Sequence, residues 1–169
     1  VVAQSFSGDI TGGGEVHGTA CAEIVYDIAP GASFYLVNFD TDVEMGNAVD
    51  WLIAQRVNIV SYSIGWPVGG PGDGTGPICQ MVDKARAAGI LWVNSIGNSA
   101  QRHWQGDFVD TDDDWYHEFA PGDETNTISA TRGYTITVLL KWDDPYGSSS
   151  NDYNLYLFDA YLKTVARST

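Results

Sequence analysis

A parallel α/β layer followed by an antiparallel β module is the fold this sequence predicts, on three observations. Strand-like and helix-like patterns alternate from about residue 31 to residue 99, a polar acidic stretch then breaks the pattern, and a period-two alternation follows it. Strand, helix, strand, helix, strand requires crossover connections, and crossovers make parallel pairs. The change of pattern puts the domain boundary at residue 100, giving domains 1–100 and 101–169.

Each element has its own signal. Ser33 to Val37 is short and apolar and reads as a strand. Met45, Ala48, Val49, Leu52 and Ile53 repeat at i, i+3, i+4, i+7 and i+8, one face of a helix. Val57 to Tyr62 is nearly all apolar, as expected of a strand covered on both faces. Ile78, Met81, Val82 and Ala85 restore the helical period, and Gly89 stands where a left-handed cap would end it. Ile90 to Val93 is the next strand.

Gln101 to Thr127 carries Asp107, Asp110, Asp112, Asp113 and Asp114 with little periodicity, and reads as an excursion out of the sheet. Tyr134, Ile136, Val138, Leu140 and Trp142 then alternate with Thr135, Thr137, Leu139 and Lys141, which predicts a strand. Turn residues fill Asp143 to Asn151, and Tyr153 to Phe158 is the expected return strand.

Composition removes several function classes. With 22 acidic and 8 basic residues among 169, the net charge of −14 repels phosphate backbones and anionic lipid, so neither nucleic acid nor membrane is an expected partner. The apolar runs are far too short to span a bilayer, and no signal-peptide pattern opens at Val1. Cys21 and Cys79 are too few for a disulfide scaffold, lie on different helical faces, and are expected as unpaired, buried thiols. They leave the redox compartment undecided.

Three segments are candidates for chemistry. Cys21, Ile24, Val25 and Ile28 share a helical face, so a helix starts near His17 and places it on the buried face, one turn before Cys21. Gly14 and Gly18 suggest close backbone approach around it. An imidazole at such a helix end, with one ring nitrogen toward a cleft, suits general acid–base work. Asn98, in Ser95-Ile96-Gly97-Asn98-Ser99, follows the strand Ile90 to Val93, and ligands of parallel sheets sit beyond the carboxyl ends of strands. Its amide can donate to an oxyanion, a contact worth about 10²–10³ in rate. Ser63, Ile64 and Gly65 run off the preceding strand and offer unpaired backbone to an extended peptide. Taken singly, a structural histidine and a Gly-Asn turn are the favoured explanations of His17 and Asn98, and the strand end is uninformative.

In combination they resemble a known family. His17-Gly18-Thr19-x-x-Ala22 looks like the histidine motif of subtilisin-like serine peptidases, and Ala29-Pro30-Gly31-Ala32 is similar to the segment that follows it. Ser63-x-Gly65 resembles the substrate-binding strand, and Gly97-Asn98 the oxyanion motif, all in the family's order. Two positions depart from the pattern: Ala20, often a second histidine, and Glu23, usually glycine. Asp9, only eight residues before His17 and followed by Ile10, does not match the aspartate motif, and Gly-Thr-Ser-Met-Ala occurs nowhere. The expectation is a piece of a longer peptidase whose aspartate and serine lie outside this chain.

The resemblance implies a partial subtilisin-like layer, a polypeptide substrate, Asp-His-Ser catalysis in the parent protein and an extracellular location. The second half resembles β-sandwich modules inserted in some secreted peptidases. Its Asp143, Asp144, Asn151 and Asp152 could form a calcium site of oxygen ligands, or simply a solvated turn. The isolated chain is expected to be inactive and, with open sheet edges, prone to self-association. The alternative is a non-catalytic module on a degenerate peptidase fold that binds protein or glycan.

Overall fold

The computed structural model describes residues 1–67 and 69–169. They form two compact units, Val1–Ile96 with Leu139–Thr169, and Gly97–Val138.

In the first unit, β1 (Val2–Ser5) pairs in parallel with β2 (Tyr35–Asn38), joined through α1 (His17–Ile28). The helix α2 (Asp42–Ala54) leads to β3 (Ile59–Tyr62), and α3 (Pro77–Ala87) leads to β4 (Leu91–Asn94), which pairs in parallel with β3. Alternation of strand and helix thus gives parallel pairs, as the sequence pattern requires, but as two separate two-stranded sheets. β1 and its pairing with β2 were not anticipated from sequence.

The core lies where α2 and α3 cover β3 and β4. Val49, Ala85 and Ile90 are buried, with Ile53, Val57, Val60, Met81 and Trp92 packed against them. Met45 is completely buried. The cap of α2 is reciprocal: Thr41 Oγ1 accepts from Glu44 N at 3.2 Å, and the Glu44 carboxylate accepts from Thr41 N at 3.1 Å. At the end of α3, Ile90 N donates to Ala85 O and Gly89 N to Arg86 O, with Gly89 at φ +88°. This is the left-handed cap expected at Gly89, and it delivers Ile90 into the core beside Ala85.

Two burial expectations fail in this unit. β3 is covered on one face only: Ile59 is 61% exposed while Tyr62 is buried, because α2 and α3 lie on a single side. The helix α1 starts at His17 as anticipated, yet buries none of its residues, and His17 itself is exposed. Packing at α1 is limited to contacts such as Tyr26 on Phe34, with ring centroids 6.2 Å apart.

The antiparallel pair also differs from expectation. Tyr134 to Trp142 forms no strand despite its alternation. β5 (Leu155–Phe158) pairs instead with β6 (Thr164–Ser168), which sequence reading missed. The turn between them closes locally: Asp159 accepts from Tyr161 N at 2.8 Å and Lys163 N at 3.0 Å. A five-residue turn costs less closure entropy than a partner more than ten residues upstream, so the neighbouring segment wins the pairing.

Asp144 organises the turn before β5. Its carboxylate accepts from Ser149 Oγ at 2.6 Å, Ser150 N at 3.0 Å, Asn151 N at 2.8 Å and Asn151 Nδ2 at 2.8 Å. These donors, Ser149 first, hold its pKa at about 2.

The second unit has no helix or ladder strand among its described residues, only a bridge between Ala120 and Asp123. Trp104, Phe108 and Phe119 surround His117, whose Nδ1 accepts from Val109 N at 3.0 Å. The buried Glu118 accepts from Thr111 N and Gly122 N, each at 3.0 Å, and from the Thr111 hydroxyl. Those bonds, the Thr111 hydroxyl foremost, pull its pKa below the usual glutamate range.

Candidate functional site

His17 is the first residue of α1, with Val16 before it as a cap that supplies no side-chain bond. The chain turns into the helix through Gly13 at φ +67° and Gly14 at φ +98°, a conformation that favours glycine. Gly14 is therefore there for its backbone angle, while a Cβ at Gly18 would meet nothing within 4 Å. The close approach expected around Gly18 is absent, because α1 stands clear of other backbone there.

The imidazole reaches across to the end of β3. His17 Nε2 lies 3.2 Å from Ser63 O, a contact between residues 46 apart in sequence. A carbonyl oxygen only accepts, so Nε2 is the donor in this contact. Cys21, one turn along α1, places Sγ 3.8 Å from the same Nε2. The sequence held this signal in the i, i+4 spacing of His17 and Cys21, though it gave no reason to link them chemically.

Ser63, Ile64 and Gly65 leave the sheet after Tyr62: the last ladder-side bond is Ser95 N to Tyr62 O at 3.0 Å. All three residues are exposed. Tyr62 anchors this exit from below. Its hydroxyl accepts from Trp66 Nε1 at 2.5 Å and donates to Met45 Sδ at 3.7 Å, and its ring stacks on Phe39 with centroids 6.2 Å apart. Burial pushes the Tyr62 phenol above its ordinary pKa, partly offset by the Trp66 bond.

Asn98 belongs to the second unit, just past Gly97 at φ +84°. It is exposed, and its backbone oxygen accepts from Arg102 Nη2 at 3.0 Å. His17 and the Ser63–Gly65 segment belong to the first unit, and they are the predicted site residues whose contact is seen directly.

Asp9 serves its own turn. It accepts from Thr11 Oγ1 at 2.7 Å, Thr11 N at 2.9 Å and Gly13 N at 3.3 Å, and these bonds, the hydroxyl first, lower its pKa. No bond joins its carboxylate to His17 among the described residues.

Both cysteines are free, as expected, and half-buried rather than fully buried. Both oxygens of Asp144 are already taken by protein donors, which accounts for the Asp143–Asp152 segment as a turn. In the second unit, Asp110, Asp112 and Asp114 bring one oxygen each within 4.8 Å of one another, an arrangement with oxygen-ligand chemistry. Asp110 already accepts there from Asp114 N at 3.3 Å and Trp115 N at 2.9 Å.

Among family models, one described as the subtilase family, Peptidase_S8, matches residues 5–139, well over half of the chain. No curated protein and no solved structure matches it.

Proposed function

The chain belongs to the subtilase family, and from that premise we propose that it supplies the general base and the oxyanion donor of a serine endopeptidase. His17 takes the proton from a serine hydroxyl as that oxygen attacks the scissile carbonyl, then returns it to the leaving amine. Asn98 donates its side-chain amide to the oxyanion of the tetrahedral intermediate. Ser63, Ile64 and Gly65 hold the substrate backbone by adding it to the end of β3.

The observation that carries this reading is the contact of His17 with Ser63 O, which sets the expected base against the expected substrate strand. A base must lie within hydrogen-bond reach of a reacting group positioned by that strand, and the contact brings the two segments to that range. The substrate in this reading is a polypeptide, since an extended peptide is what the end of β3 can pair with.

In this reading the serine nucleophile and the carboxylate that orients His17 come from the parent protein outside these residues; by accepting from Nδ1–H that carboxylate leaves Nε2 bare, released from Ser63 O and able to take the serine proton. An extracellular location is part of the same reading; no helix among the described residues is long and apolar enough to cross a membrane. The isolated chain is then inactive, because oxyanion donors without a nucleophile leave only a small residual rate.

The test is casein hydrolysis by the parent protein. His17→Ala should abolish it, and Asn98→Ala should lower kcat about 10²–10³-fold with little change in KM. Equal loss in KM alone would assign Asn98 to binding, and unchanged hydrolysis in His17→Ala would end the proposal.

A further inference from the structure

Asn98 is held by its own loop through one side chain. Arg102, four residues on, turns its guanidinium back so that Nη2 donates to Asn98 O at 3.0 Å and Nε to Ser99 O at 3.4 Å. Nε–H and Nη2–H lie on one edge of the planar guanidinium, so two successive carbonyls meet a rigid, charged fork. The Arg102 backbone N–H closes the same turn by donating to Ser99 O at 2.8 Å. The path takes left-handed angles at Gly97, φ +84°, and at Ala100, φ +48°. Glycine adopts such an angle freely, whereas an alanine keeps it only where its surroundings hold it there. Arg102 is exposed and forms no ion pair among the described residues, so its donors serve the loop carbonyls.

We infer that Arg102 is a positioning residue, whose guanidinium fixes the backbone at Asn98 and so aims the Asn98 side-chain amide. Holding the carbonyls of Asn98 and Ser99 fixes two successive peptide planes. The first of these planes contains Cα and the carbonyl carbon of Asn98, so its orientation restricts where Cβ points. An oxyanion donor works only when it is already aimed at the place where charge develops, and a displacement of about 1 Å costs about 10²-fold in rate. Arg102 donates to backbone and not to a reacting group, so it acts through Asn98. The clamp rests on the Arg102 contacts alone; its part in catalysis rests on the proposed reading of Asn98 as the oxyanion donor.

The test reads structure and rate separately. In the 169-residue chain, ¹³C spectra of Arg102→Ala should show the Asn98 and Ser99 carbonyl signals shifted and the left-handed signature of Ala100 lost. Unchanged signals overturn the proposal whatever the kinetics. In casein hydrolysis by the parent protein, Arg102→Ala should lower kcat about 10–10²-fold with little change in KM, a smaller loss than that of Asn98→Ala. Arg102→Lys, which keeps the charge but not the fork, should recover part of that rate. Placed in the Asn98→Ala background, Arg102→Ala should cost nothing further, because its effect passes through the amide already removed. A full further loss there, or a rise in KM in place of the fall in kcat, overturns the positioning role. Loss in Asn98→Ala with none in Arg102→Ala overturns it too and leaves the proposed function standing, whereas no loss in Asn98→Ala removes the proposed function and the positioning role together.

Discussion

His17 Nε2 and Ser63 O stand 3.2 Å apart, joining the first turn of α1 to the chain leaving β3 across 46 residues of sequence. The carbonyl accepts and cannot donate, so the contact requires the hydrogen on Nε2. A long-range ¹H–¹⁵N spectrum of the neutral ring should show a protonated Nε2 and a bare Nδ1. The opposite tautomer would mean that the Ser63 contact does not hold in solution.

The core is small, so its members are individually costly to lose. Met45 is fully buried and accepts from the Tyr62 hydroxyl. Met45→Ala should destabilise the first unit by about 2–5 kcal/mol, the range for large-to-small changes in a packed core. Urea unfolding followed by Trp fluorescence measures it. A loss under about 0.5 kcal/mol, the level of an ordinary surface substitution, would show that α2 is not packed as described.

Gly89 tests the cap of α3 by strain alone. At φ +88° a Cβ there meets nothing within 4 Å, so Gly89→Ala adds no clash, only the left-handed penalty. The expected cost is about 1–2 kcal/mol in the same unfolding experiment. A neutral or stabilising outcome would place Gly89 at negative φ.

The turn held by Asp144 gives a pH signature. Its pKa is depressed to about 2 in the fold, against an ordinary 3.8. The bonds from Ser149, Ser150 and Asn151 therefore favour the fold fully above pH 3.8, and the contribution fades as pH falls toward 2. A ¹³C carboxyl titration should find Asp144 well below the ordinary aspartate value of 3.8, and Ser149→Ala should move it upward. An ordinary value in the intact chain would show that the four donors do not converge.

How much of this was legible in the sequence depended on whether a signal was local. The periodicity of Met45 to Ile53 and of Ile78 to Ala85 located α2 and α3, since a helix makes its own hydrogen bonds and its apolar face says what it buries. Gly89 announced its cap for the same reason. The alternation from Tyr134 to Trp142 misled, because a strand needs a partner and alternation does not name one; β6 had no apolar pattern, yet its tight turn through Asp159 made it the partner. Burial was the least legible quantity. Cys21, Ile24, Val25 and Ile28 form a clear stripe, but Ile24 is 67% and Ile28 85% exposed, because a stripe states a preference and not the presence of a surface to satisfy it. In the candidate site, the motif residues were readable one by one, whereas the meeting of His17 with Ser63 O belongs to the tertiary fold.

A fluorophosphonate probe bears most directly on the central claim that these residues furnish the base and oxyanion donor for a nucleophile located elsewhere in the parent protein. The probe reacts with an activated serine, so the isolated chain should remain unlabelled while the parent protein is labelled at a serine beyond these 169 residues. Parent labelling should disappear in the His17→Ala variant. Labelling of the isolated chain at one of its own serines, lost on His17→Ala, would contradict the account, because a working nucleophile would then lie within this sequence.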